Sequence, residues 1–171
     1  MGNKIYVIRS GPVQRVADQG WSLSPAGVEL TREFARQEQW GEMERLYHGP
    51  ERPARQTARI ISQVASIPTE SHDNLRDIED WTASAAGIAR DSRGEDSAGA
   101  LGRITLCLNE LLSLNGGHSI GVISHGRILA LLYGEILGRR LSLLEWLSIP
   151  VPALFVIDVS SWLVERDFKY Q

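Results

Sequence analysis

Two short polar clusters hold the side chains of this sequence best suited to chemistry: Arg9-Ser10-Gly11 and Ser124-His125-Gly126-Arg127. An imidazole is nucleophilic or basic when neutral near pH 7, whereas a serine hydroxyl is weak until an adjacent base takes its proton. A Ser/His/acid set can therefore drive acyl transfer if the three groups meet. Carboxylates come from the acidic segment NLRDIEDW, residues 74–81, which contains Asp77, Glu79 and Asp80. Such a charge run also reads as a solvated face. His48 and His118 read as structural, and His72 lacks a carboxylate or cysteine at metal-ligand spacing, so no metal and no cofactor is expected. Of the five tryptophans, Trp21, Trp40, Trp146 and Trp162 read as core or interface, and Trp81, beside the acidic segment, as part of a pocket wall.

The elements that must position these groups follow from periodicity. Lys4 to Ile8 is a β-branched and aromatic run that stops at Arg9-Ser10-Gly11-Pro12, where glycine and proline open a loop. Ser24-Pro25 suits a helix start, and Val28, Leu30, Phe34 and Ala35 continue at helical spacing toward Trp40-Gly41. Arg45 to His48 is a second strand, Ala54 to Val64 a second helix, and Thr69 to Ser71 a further strand. Ala83 to Ala100 is small, polar and glycine-dotted, which reads as a loop or lid. Leu101 to Leu114 is a helix stopped by Gly116-Gly117. Ser119 to Ser124 is an apolar strand of the kind buried on both faces, and Gly126 to Leu137 is the helix after it. Ala153 to Asp158 and Trp162 to Arg166, joined by a serine turn, predict an antiparallel hairpin at the sheet edge. Strands alternating with helices predict one three-layer α/β/α domain over residues 1–171, with a mostly parallel central sheet. Ligands bind such sheets beyond the carboxyl ends of the strands, where both polar clusters fall.

The chain has 171 residues with 43% hydrophobic content, enough for one well-buried core, and a net charge of −3. That balance gives no electrostatic reason for nucleic acid or an anionic membrane as partner, so any anion site must be local. The single cysteine, Cys107, lies in an apolar helical stretch and reads as packing, which fits a reducing cytoplasm. The N-terminal apolar run passes straight into Arg9 and reads as a strand instead of a signal peptide, and no stretch reaches the ~20 apolar residues of a membrane span.

The order of these pieces resembles the histidine phosphatase (phosphoglycerate mutase-like) superfamily. That family carries Arg-His-Gly after strand one and Ser-His-Gly-Gly after a later apolar strand; here they read RSG and SHGR. Between them, LSPAGVEL, GPERPARQTARII and NLRDIEDW stand in the order of the family's helix start, Ser-Pro-Leu-x-Arg-Ala-x-Gln-Thr-Ala segment and acid motif. The family mechanism uses a neutral imidazole to attack phosphorus, a second histidine and two arginines to hold the phosphoryl oxygens, and a carboxylic acid for the leaving group. The resemblance implies that Ser10 stands where the nucleophile should be, that Arg9 keeps the first guanidinium beside Gly11, and that Pro53 replaces the second. Arg52 or Arg55 is then expected to reach in. Asp77 falls at the leaving-group acid and His125 at the second histidine. Guanidinium groups match phosphate oxygens with forked, charge-assisted hydrogen bonds, so a lost arginine weakens the anion site.

Three functions remain open on this reading. A pseudophosphatase would bind a small ligand, anionic or neutral, through Arg9, Gly11, Arg52, Arg55, Trp81 and His125. A repurposed enzyme would use Ser10, Asp77 and His125 for acid/base or acyl chemistry on a substrate other than a phosphate ester. An interaction protein would use the apolar segment LSLLEWLSIPVP, Leu141 to Pro152, as a homodimer or partner face, although that stretch equally reads as a packed helix end.

Overall fold

A computed structural model describes residues 3–78 and 95–168. Eight strands are formed: β1 (Lys4–Arg9), β2 (Val13–Val16), β3 (Gly20–Leu23), β4 (Arg45–His48), β5 (Thr69–Ser71), β6 (Ile120–Ser124), β7 (Ala153–Asp158) and β8 (Leu163–Arg166). Five α-helices accompany them: α1 (Pro25–Gln37), α2 (Arg52–Ala65), α3 (Ser97–Leu114), α4 (Gly126–Ile136) and α5 (Leu143–Ser148). Six strands make one sheet in the order β5-β4-β6-β1-β7-β8, parallel from β5 to β1 and antiparallel from β1 to β8. The expected mostly parallel sheet with an antiparallel C-terminal edge hairpin is therefore present.

The central strands are apolar throughout because each of their faces meets a different helix layer. In β1, Ile5 and Val7 pack into the core that contains Ile104, Leu108, Leu111, Ile128 and Leu132 of α3 and α4. Tyr6 and Ile8, one residue out of phase, pack into the core that contains Ala35, Ala54, Ala58 and Ile61 of α1 and α2. This is the two-residue alternation of a strand buried on both sides. β7 repeats it, with Phe155 and Ile157 on the first face and Leu154 and Val156 on the second.

Local chemistry sets the helix ends. Ser24 caps α1 by accepting the Gly27 amide at 2.9 Å, with Pro25 in the first turn, as the sequence indicates. Asp96 caps α3 in the same way through the Gly99 amide at 2.8 Å. That helix therefore starts at Ser97, and the end of the stretch read as a loop or lid is its first turn; residues 83–94 of that stretch lie outside the described residues. One element arises where a loop is expected, and another within the stretch that reads as a partner face or a packed helix end. The exposed hairpin of β2 and β3 follows the first strand, and α5 holds a capping box in which Ser142 accepts the Glu145 amide and Glu145 accepts the Ser142 amide. Both overhang the carboxyl end of the sheet.

Phe155 is fully buried and packs edge-on against Tyr133 and Phe168, with ring centroids 5.2 and 5.3 Å away. Phe155→Ala should remove about 3–5 kcal/mol of stability. In thermal unfolding that is a fall of roughly 2–4 °C per kcal/mol for a domain of this size. An unchanged transition would mean that β7 does not pack between β1 and the C-terminal segment in solution.

Candidate functional site

The parallel pairing of β1 with β6 sets Arg9 opposite Ser124, so the residues that follow, Ser10 and His125, emerge side by side at the carboxyl edge. The Ser10 amide donates to the Ser124 carbonyl at 3.3 Å and fixes that relation. The crevice above them has a volume of about 220 Å³ and is lined by Arg9, Ser10, Gly11, Val13, Asp77, His125, Gly126, Arg127, Trp146 and Val151. Five of the residues expected at a site from sequence, Arg9, Ser10, Gly11, Asp77 and His125, are thus brought together.

Each is held by its own backbone context. The Gly11 amide donates to Thr57 Oγ1 at 3.3 Å, anchoring the loop after β1 to α2. Arg9 turns toward α4 and donates from Nη1 to the Ile149 carbonyl at 2.8 Å. Its guanidinium lies over Gly126, where an added Cβ would come within 2.9 Å of Nε and Nη2, so the glycine after the histidine makes room for the arginine. Burial lowers the Arg9 pKa from its ordinary value, which leaves the group charged in any working range. Asp77 is delivered by a segment tied down three times: Ser124 Oγ donates to the Leu75 carbonyl at 2.8 Å, Arg103 donates to the Asn74 and Arg76 carbonyls at 2.8 and 3.0 Å, and the Asp77 amide donates to Glu51 Oε1 at 2.8 Å. The Asp77 carboxylate accepts the Ile78 amide at 2.9 Å and lies 3.5 Å from Arg127.

His125 occupies the N-cap position of α4, but its side chain does not cap the helix. Its Nε2 lies 3.1 Å from Glu51 Oε2, a contact that is an ion pair when the ring is protonated, and neither atom has a well-aligned hydrogen-bond partner among the described residues. Glu51, the N-cap residue of α2, folds its carboxylate over Gly49, where an added Cβ would meet Oε2 at 2.6 Å and the Leu75 carbonyl oxygen at 2.8 Å. Burial pushes the His125 pKa down, but the Glu51 contact and the nearby Asp77 and Glu51 charges outweigh it, against Arg127, and the net shift is upward. For Glu51, burial pushes upward and is outweighed by the His125 contact and charge and by the Asp77 amide, so its carboxyl falls below the ordinary value.

Sequence reasoning does not assign Glu51, behind this crevice, or Val13, Gly126, Arg127, Trp146 and Val151, in its lining, to a site. A carboxylate one residue beyond Gly49-Pro50 was the available signal for Glu51, and the arginine standing in place of glycine in SHGR was the signal for Arg127. Arg52 and Arg55, one of which is expected to reach in, do not line the crevice. Arg52 donates to Gln19 Oε1 at 2.6 Å on the β2–β3 side, and Arg55 is exposed on α2. Pro53, in the first turn of α2, is buried. Trp81, expected in the pocket wall, lies outside the described residues, as do Glu79 and Asp80. Elsewhere, His48 is buried with Nδ1 2.7 Å from the Gly49 carbonyl, and the Cys107 thiol is pushed up to about 12, first by burial and then by Glu110. Among the described residues no group of three or more His, Cys, Asp or Glu could hold a metal ion, and no helix is long and apolar enough to cross a membrane.

Comparison with known proteins fits this geometry. Residues 78–162 match the family model of the histidine phosphatase superfamily (branch 1). A comparison with curated protein sequences gives no match. Among solved structures, Bacillus stearothermophilus YhfR is 16% identical with a TM-score of 0.76, the alignment covering 99% of this chain and 97% of that one. Phosphoserine phosphatase from Entamoeba histolytica, in complex with 3-phosphoglyceric acid, is 17% identical with a TM-score of 0.76 and coverages of 99% and 98%. A putative alpha-ribazole-5'-P phosphatase from Escherichia coli is 17% identical with a TM-score of 0.73 and coverages of 100% and 97%. At these identities the likeness is one of fold.

The His125–Glu51 pair generates a pH prediction. A raised His125 pKa contributes stability that is fully present below the ordinary value of 6.5 and is lost as pH rises through the folded-state value. A lowered Glu51 pKa contributes stability present above the ordinary 4.5 and lost as pH falls through its folded-state value. The pair therefore stabilises most between these ordinary values. NMR titration of the imidazole should place His125 above 6.5 in the native chain and lower it in Glu51→Gln; identical titrations would show that Glu51 does not sense the ring.

Proposed function

We propose that the chain is a member of the histidine phosphatase superfamily, whose family model matches residues 78–162, and that it binds a small anion in the crevice without transferring a phosphoryl group to itself. The observation that carries this reading is Ser10. Its side chain stands at the end of β1 where the family's nucleophilic imidazole belongs, it is buried, and among the described residues no hydrogen bond joins it to His125. A serine hydroxyl without a base in contact is a poor nucleophile.

Binding survives where attack does not. Pro53 removes one guanidinium, but Arg127, from the first turn of α4, brings another to the crevice lining from a different backbone position. Arg9, Arg127 and an imidazolium at His125 then surround the cavity, with the start of α4 contributing its positive end. Asp77 is engaged with the Ile78 amide and faces Arg127, which suits it to holding that guanidinium in place more than to giving up a proton.

The repurposed-enzyme reading has one specific observation in its favour: a carboxylate behind an imidazole, here Glu51 3.1 Å from His125, is how a general base is oriented. The same contact weighs against it. A general base must also reach the proton it takes, and here Nε2 faces Glu51 while, among the described residues, no hydrogen bond joins the ring to Ser10. The interaction-protein reading rests on Leu143, Leu144 and Leu147, exposed on α5.

Inorganic phosphate should bind in the millimolar range and perturb the His125 ring, measured by NMR and calorimetry. Arg9→Gln and Arg127→Gln should each weaken it about ten- to hundredfold, the worth of about 1.5–3 kcal/mol for a hydrogen bond to a charged group. No release of nitrophenol from p-nitrophenyl phosphate above background is expected. Turnover abolished by Ser10→Ala would favour the repurposed enzyme, and loss of neither affinity in the arginine variants would remove the anion site.

A further inference from the structure

The lining of the crevice is mixed: Arg9, Ser10, Asp77, His125 and Arg127 are polar, with the Asp77 carboxylate 3.5 Å from Arg127, and Val13, Trp146 and Val151 are apolar. Val13 and Val151 leave 44% and 37% of their surface in water, and ligand pockets combine such apolar surface with a few placed polar groups. The apolar residues are tied to the polar ones. Trp146 Nε1 donates to the Gly126 carbonyl at 3.3 Å, at the start of α4, and Arg9 donates to the Ile149 carbonyl just after α5. The arginine that would hold an anion thus also clamps the segment that carries the apolar wall. Val13 closes the wall from β2, whose side chains are otherwise exposed or half-exposed.

From this arrangement, and resting on the anion-binding reading above, we infer that the ligand is an amphiphilic anion: a phosphate, phosphonate or similar head between Arg9, Arg127 and His125, carrying an aromatic or alkyl group against Val13, Trp146 and Val151. A purely polar phosphate ester would leave the two valines in water and bring its hydroxyls against carbon. An apolar substituent removes both surfaces from water, at about fourfold in affinity per buried methylene. The cavity of about 220 Å³ admits a head group with one ring or a short chain.

Phosphonates resist hydrolysis and separate the two parts of the ligand. Calorimetric titration of the full chain with inorganic phosphate, methylphosphonate, butylphosphonate and phenylphosphonate should give affinities that rise by about tenfold or more from the methyl to the phenyl compound. The double variant Val13→Ser with Val151→Ser, both at exposed positions that folding tolerates, should flatten that rise. If phosphate and methylphosphonate bind and the larger compounds bind no better, the amphiphilic ligand is wrong while the anion site stands. An unchanged rise in the double variant places the apolar contact elsewhere and overturns the assignment. If nothing in the series binds, the anion reading and this inference fall together.

Discussion

Everything at the carboxyl edge depends on the parallel register between β1 and β6. Ile8 faces Ile123 and Arg9 faces Ser124, so the last residue of each strand ends level with its neighbour. A slip of one residue would exchange the faces of β1, exposing Ile5 and Val7 to the wrong core and sending Ser10 and His125 to different heights. The two helix layers forbid it, since each inward residue of β1 has a filled partner surface on its own side. β4, parallel to β6, then brings Gly49 and Glu51 behind His125, and β7, antiparallel to β1, brings the segment before Ala153 beside Arg9. Four strand ends therefore supply one crevice.

Charge is arranged in that crevice by pairing. His125 meets Glu51 and Arg127 meets Asp77, while Arg9 has a backbone carbonyl in place of a carboxylate. Buried charges persist only where such partners offset the loss of hydration. The Glu51 contact and the Asp77 and Glu51 charges shift the His125 pKa upward, which favours the charged ring. Among the described residues no hydrogen bond joins Ser10 to that ring.

Much of the fold was legible because its signals are local and repeated. The apolar runs of β1, β4 and β6, the glycine-proline stops after them and the Ser24-Pro25 helix start all act within a few residues, and the structure places β4 and β5 at the expected bounds. The β2–β3 hairpin was not legible, since its strands bury little beyond Ser22 and Leu23 and so carry no alternation. The helix α5, six residues long with none buried, falls in the stretch that reads either as a partner face or as a packed helix end, and its position comes from a capping box and from Trp146 reaching Gly126. Val13 of β2 and Trp146 of α5 both line the crevice. The polar floor was easier: Arg9, Ser10, Gly11, Asp77 and His125 follow from strand ends and motif order. Glu51 was missed because its role is set by Gly49 and His125 together, a contact across 74 positions of chain that no local pattern records. Arg52 and Arg55 lie off the crevice lining, since nearness in sequence to Pro53 does not decide which way a helix surface faces.

Whether the crevice holds an anion without reacting with it is decided most directly by a crystal structure of the native chain soaked in p-nitrophenyl phosphate or phosphate at saturating concentration. The account predicts a tetrahedral anion in contact with Arg9, Arg127 and His125, with no bond between phosphorus and any side chain. An empty crevice at saturation, or phosphorus covalently attached to Ser10 or His125, would contradict it.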